Sequence, residues 1–155
     1  MADVSETATT WSNLSAMHKN GLKDIEKAIN ETGVNGWVGC HLSHSYHSGA
    51  SLYFTFGCLQ REDQEIQQYL YVKKAAEDAF MNNGGTLSHH HAVGTEHLPW
   101  IEQDISPTGL KAVKALKDGL DPNGIMNPGK IIPSKKPLSD WGLSDESINR
   151  FKSHT

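Results

Sequence analysis

Ser88-His89-His90-His91 concentrates more proton-transfer and ligand chemistry than any other stretch of this sequence. Histidine titrates near neutral pH and is the commonest metal ligand, so a run of it points to a site. Nine histidines occur in 155 residues, and six of them, His41, His44, His47, His89, His90 and His91, fall between positions 41 and 91. Three readings fit such a cluster. In proton transfer, His41 or His44 and the phenol of Tyr53 would complete an acid–base set. In metal binding, three consecutive histidines cannot all converge on one ion from a regular strand or helix, so His41, His44 or His97 would have to join members of the run. The third reading is a solvated polar loop with no site.

The elements that must position these residues are read from hydrophobic periodicity. Between Trp11 and Thr32, the spacing of Leu14, Met17, Leu22, Ile25 and Ile29 predicts an amphipathic helix, with Ser12 as its cap and Gly33 just beyond its end. Trp37 to Ser45 and Ala50 to Cys58 read as strands joined by the turn Tyr46-His47-Ser48-Gly49. A second helix is predicted from Asp63 to about Met81, burying Ile66, Leu70, Lys73, Ala76 and Phe80 and ended by Asn83-Gly84-Gly85. Thr86 to Gly94 has no periodicity and is placed on a strand end or loop. After a short helix near Pro99, Ser106-Pro107 opens a third helix carrying Leu110, Val113, Leu116 and Leu120. Asp121-Pro-Asn-Gly124 and Asn127-Pro-Gly-Lys130 are turns. Val4 to Thr10 reads as a strand already under way, as if the chain began inside a domain. This order predicts an α+β fold, an antiparallel sheet with helices on one face in a ferredoxin-like split βαβ arrangement.

Strand parity makes the prediction specific. Ala50, Leu52, Phe54 and Phe56 share one face and Ser51, Tyr53 and Thr55 the other. If Val38, Cys40 and Leu42 join the apolar face, His41 comes to the face of Tyr53, which requires an odd loop or a bulge in the hairpin. A two-residue turn would instead pair Tyr53 with Leu42 and bring His44 to the polar face.

Composition narrows the function classes. A net charge of −4 without like-charge blocks argues against nucleic acid and against a basic membrane face, leaving small molecules or proteins as partners. No apolar run is long enough to span a bilayer, and no signal-peptide pattern opens the chain, so a cytoplasmic location is expected. Cys40 and Cys58 give no disulfide framework.

Longer motifs add a resemblance. Gly84-Gly-Thr-Leu-Ser-His-His-His-Ala-Val-Gly94 resembles the Gly-Gly-Ser-Leu-Ser-His-His-His-Gly-Val-Gly stretch of alkyldihydroxyacetonephosphate synthases. The likeness continues in Glu6-Thr-Ala-Thr-Thr-Trp11, Gly49-Ala-Ser-Leu-Tyr-Phe-Thr-Phe56 and Asp104-Ile-Ser-Pro-Thr-Gly-Leu-Lys-Ala-Val-Lys114. Asp121-Pro-Asn-Gly-Ile-Met-Asn-Pro-Gly-Lys130 is shared more widely among FAD-linked oxidases of the vanillyl-alcohol oxidase type. The resemblance runs from about residue 2 to 133, which divides the chain into a C-terminal cap part, 1–133, and an extension, 134–155, where Trp141, Leu143, Ile148 and Phe151 would dock as a short amphipathic helix.

The resemblance implies the C-terminal portion of a flavoenzyme that exchanges the acyl group of an acyl-dihydroxyacetonephosphate for a fatty alcohol, yielding an ether lipid precursor. It implies Tyr53, His89, His90 and His91 as catalytic residues, His90, His91, Asn127 and Lys130 near the flavin, and His41, His44 and Ser88 near the substrate, with no metal. FAD would be bound mainly by an N-terminal domain with a glycine-rich pyrophosphate loop that has no counterpart in these residues, so the chain alone is expected to be inactive. The sequence departs from the family at Ala92, where a glycine follows the histidines, and at Thr95-Glu96-His97, where basic residues stand in the eukaryotic enzymes. Oxidation of a 2-hydroxy acid on the same scaffold is the alternative reaction, a histidine-rich metal-binding module the alternative class, and an open sheet edge would permit pairing into a homodimer.

Overall fold

Alternation in one strand organises the molecule. In the computed structural model, which describes residues 1–87 and 89–152, Ala50, Leu52, Phe54 and Phe56 are all buried on one side of β3 (Gly49–Cys58). This strand is the centre of a three-stranded antiparallel sheet, flanked by β1 (Ala2–Thr10) and β2 (Gly36–Ser45) in the order β1-β3-β2. Two helices, α1 (Trp11–Glu31) and α2 (Glu65–Asn82), cover the apolar face. Met17, Ile25 and Ile29 from α1 and Val72, Ala76 and Phe80 from α2 meet Leu52, Phe54 and Phe56 there. Fully burying each such side chain contributes ~1.5–3 kcal/mol. The close approach of α1 needs Gly21, where a Cβ would stand 2.7 Å from the Phe54 ring. This is the expected α+β architecture, with helices on one face of an antiparallel sheet.

The fourth strand of a complete split βαβ sandwich is reduced to one bridge, Ala8 to Thr86, at the outer edge of β1. The placement of Thr86 just after the glycine pair therefore holds, as a strand end.

Two details differ from expectation. Ser12 does not cap α1: Thr10 is the last extended residue, and the strand passes into the helix without a loop, leaving Ser12 inside the first turn with its hydroxyl 2.9 Å from that of Thr10. Ile66 is not on the buried face of α2 but 68% exposed, because the first turn directs Gln68, not Ile66, toward Thr32 and the end of β3. Gln68 is buried instead; its side chain donates to Thr32 Oγ1 and the Leu59 carbonyl and accepts from the Arg61 N–H. A buried amide with its partners supplied costs little.

α3 (Ile101–Leu120) is interrupted at Ser106, which has φ 71° and ψ 158°. The Ser-Pro signature is legible here as a second helix start, since Ser106 Oγ accepts the Gly109 N–H at 3.2 Å. Only Ile101 of α3 is buried, while Leu116 and Leu120 are 65% and 85% exposed. Among the described residues, the Leu116–Leu120 end of its apolar stripe stays uncovered. Two short helices follow, α4 (Pro137–Asp140) and α5 (Asp145–Lys152), and here the expected docking is observed. Phe151 is buried with its ring 5.0 Å from that of Tyr71, and Trp141 meets Trp100 edge-on. Among the described residues no helix is long and apolar enough to cross a membrane.

Candidate active site

The face of the sheet opposite the helices carries the chemistry. Tyr53 on β3 stands directly opposite His41 on β2 and Glu6 on β1, so all three side chains project from the same face. A bulge between Leu42 and His44 then pairs His44 with Ser51. The extra residue restores parity in a way neither simple hairpin would: Leu42 opposes buried Leu52 on the apolar face, where Leu42 itself stays 45% exposed, and both His41 and His44 reach the polar face.

The histidine run is carried onto this face by a loop pinned at its start. Gly85 passes so close to β1 and α1 that a Cβ would lie 2.3 Å from Thr7 Oγ1 and 2.5 Å from the Met17 methyl. Thr7 and Thr9 hydroxyls donate to the carbonyls of Thr86 and Gly84, each at 2.9 Å, and the Thr86 N–H donates to the Ala8 carbonyl. Asp104 accepts from the Thr86 hydroxyl and the Leu87 N–H, and the Leu87 side chain is buried in the core. Ser88 lies outside the described residues.

Beyond it the loop builds two adjoining groups. In the first, the Tyr53 ring has His41 at 5.4 Å and His91 edge-on at 5.7 Å. In the second, His90 meets His44 edge-on at 4.9 Å, and the Tyr46 hydroxyl lies 2.7 Å from His89 Nε2 and 3.3 Å from His90 Nε2. Under this second group lies Glu6, whose side chain is wholly buried. Its Oε2 accepts the His90 backbone N–H at 3.1 Å. Its Oε1 is 2.9 Å from His90 Nδ1, but the ring nitrogen is not in line to donate, so this oxygen has no hydrogen bond.

The departures from the resemblance acquire physical meaning. Ala92 has φ 63°, the left-handed region where glycine is at ease and a Cβ costs ~1–2 kcal/mol. Glu96 accepts the Tyr69 hydroxyl and lies 3.8 Å from Lys73, and buried His97 donates through Nδ1 to the Ala92 carbonyl at 2.9 Å. Thr95-Glu96-His97 thus anchors the loop to α2. Burial holds His97 below the usual histidine range. Behind it, burial pushes the Glu77 carboxyl up to about 8, against the opposing pull of Lys73. Lys73 Nζ itself donates to Asp3 and the Val4 carbonyl.

Of the residues expected at the site, the structure brings together Tyr53, His41, His44, His89, His90 and His91. It does not bring Asn127 and Lys130 to them. Both lie in an exposed turn beyond α3 and make no hydrogen bond, ion pair or ring contact with the histidines among the described residues. That turn is organised by Asp121, whose carboxylate accepts the Ile125 and Met126 N–H groups. A hydrogen bond from Lys117, then that from Met126, keeps Asp121 below the usual carboxylate range. Sequence reasoning missed Glu6 and Tyr46 as site residues. Glu6 had a signal, the one carboxylate at an even position of β1, Asp3 being on the other parity; Tyr46, in a turn, had none.

Imidazoles and phenols in this arrangement can donate to, accept from and exchange protons with a polar substrate lying on the open face. Residues 1–131 match the family model described as FAD linked oxidases, C-terminal domain. The chain belongs to this family. Among relatives of this FAD-linked oxidase domain are alkyldihydroxyacetonephosphate synthases from Dictyostelium discoideum, 37% identical over 134 residues, and from Trypanosoma brucei brucei, 38% identical over 133. Each alignment covers 86% of this chain and 22% of the relative, so the chain spans about a fifth of the length of these proteins. A glycolate oxidase subunit of Bacillus subtilis is 29% identical over 118 residues, covering 74% of this chain and 24% of its own length. A solved alkyldihydroxyacetonephosphate synthase structure superposes with a TM-score of 0.56 at 31% identity, over 82% of this chain and 20% of that one.

Proposed function

We propose that this domain is the substrate-side wall of a flavin site in an alkyldihydroxyacetonephosphate synthase-like enzyme, exchanging acyl for alkyl on a dihydroxyacetone phosphate and inactive without its flavin-binding domain. The observation that carries the reading is Tyr53 set between His41 and His91 on an open sheet face. FAD, when bound, would supply an electrophilic ring for the acyl-bearing carbon beside the ketone, where acyl is exchanged for alkyl. The donors present suit such a group. Imidazole and phenol groups of His90, His91 and Tyr53 match the polar edge of a flavin ring and a ketone oxygen, while the sequence offers no glycine-rich loop for the pyrophosphate. In this reading Tyr53 accepts and returns the substrate proton, His41 and His91 hold its ring in place, and His44 lines the headgroup side. Residues 1–133 form the family unit, and 134–155 extend it.

The exposed stripe of Leu116 and Leu120, continued by Ile125 and Met126, supports a covering domain, because apolar patches of this kind mark interaction surfaces. Adding an N-terminal flavin-binding domain of the same family should give a yellow complex that forms ether product. Two pieces that do not associate, or a complex that binds no flavin, would overturn the reading. A second reading, 2-hydroxy acid oxidation, is favoured by the sequence departure at Thr95-Glu96-His97, where the resembling enzymes carry basic residues; reduction of an added electron acceptor by the complex would select it.

A further inference from the structure

We propose that Glu6, His89 and His90 form a site for a divalent transition metal ion, Zn²⁺ or a first-row neighbour. One ligand atom from each residue lies within 4.8 Å of the others. Glu6 Oε1 and His90 Nδ1, 2.9 Å apart, already stand at about the separation of neighbouring ligands around an ion with bonds of about 2.0–2.2 Å. Two imidazoles and a carboxylate form a ligand set suited to zinc, cobalt, nickel or ferrous iron.

The independent observation is the carboxylate itself. Glu6 is wholly buried, its Oε1 has no hydrogen bond, and among the described residues no lysine or arginine pairs with it. A buried carboxylate left with an unused oxygen is costly, and an ion at Oε1 would remove that cost. The surroundings hold the ligands as outer partners hold them in metal sites: the His90 N–H fixes the other carboxylate oxygen, and the Tyr46 hydroxyl steadies the His89 ring. The irregular loop lets two adjacent histidines converge, with Glu6 from a distant strand completing the set. Three protein ligands leave a coordination position for water or a substrate oxygen, the pattern of reactive rather than purely structural sites.

The inference rests on this chain alone and not on the flavin reading. The test is calorimetric titration of the 155-residue chain, purified without a polyhistidine tag, with ZnCl₂ and separately with CoCl₂, the cobalt visible band reporting coordination. One ion per chain should bind. Glu6→Gln and His90→Asn should each weaken binding by at least about a hundredfold, the upper end of what losing an outer partner costs. His18→Ala, on an exposed face of α1, should leave it unchanged. His90 is exposed, so His90→Asn carries the test if Glu6→Gln perturbs folding, which circular dichroism monitors. Absence of binding, or binding that survives both substitutions, overturns the proposal. Neither result bears on whether a flavin-binding domain associates.

Discussion

Glu6 Oε1 and His90 Nδ1 lie 2.9 Å apart across 84 residues of sequence, with the strand carboxylate buried beneath the loop imidazole. The same carboxylate accepts the His90 backbone N–H, so the loop is held from below at its centre. Amide exchange at His90 should accelerate at least about tenfold in Glu6→Ala, from loss of a ~1.5 kcal/mol hydrogen bond to a charged acceptor. Glu6→Gln, which keeps an acceptor oxygen, should largely preserve protection. Hydrogen exchange read by NMR checks both.

Tyr53→Phe removes a hydroxyl that makes no hydrogen bond among the described residues, so the fold should be unaffected. In a complex with the flavin-binding domain, turnover should fall by about 10²–10⁴, the range associated with a lost proton-transfer group. A variant with full turnover would remove Tyr53 from the chemistry.

Stability should depend on pH through Glu77. Its folded-state carboxyl sits at about 8 against an ordinary 4.5, so the native state holds a proton the unfolded chain releases, and stability falls as pH rises between these values. His97 works the other way: its folded value is below 6.5, so it adds stability as pH rises toward 6.5 and nothing further above. From pH 6.5 to about 8 the Glu77 slope is therefore the clearer one, with Lys73, Asp3 and Glu96 as its charged surroundings. Thermal melts across this window should decline for the native chain and stay flatter for Glu77→Gln.

Phe151→Ala should destabilise the chain by ~3–5 kcal/mol, since it empties a site at the Tyr71 ring. Because domains of this kind have only ~5–15 kcal/mol of stability, the melting temperature should drop sharply. A small change would mean that residues 134–152 merely lie on the surface.

Leu116→Glu with Leu120→Glu should leave the melting temperature of the isolated chain within the ~0.5 kcal/mol typical of exposed positions. Association with the flavin-binding domain should weaken by on the order of tenfold or more, given ~1.5–3 kcal/mol per buried leucine. Pull-down and calorimetry with the paired domain measure this.

The hairpin was legible because parity is local: once Leu42 and Leu52 had to share a face, His41 had to face Tyr53, and an odd loop or a bulge was required. Glu6 was not legible as a partner of His90, because that contact depends on β1 pairing with β3 and on a loop 84 residues away. Ile66 and Gln68 show the same limit at smaller scale. Periodicity marks a helix face, but which residue of the first turn is directed inward is set by tertiary partners, and a glutamine satisfied by Thr32, Leu59 and Arg61 took the interior place. The stripe on α3 was correctly read as amphipathic, yet among the described residues its Leu116 and Leu120 end has nothing to cover.

The bulge at the end of β2 has an evolutionary consequence. Because Ser43 is the unpaired extra residue, deleting it would leave Leu42–Leu52 and His44–Ser51 as consecutive pairs of a regular ladder, and His41 and His44 would keep the same outward face. The reactive surface thus tolerates a change of chain length at this one point, and relatives lacking the extra residue would present the same groups on a flatter strand.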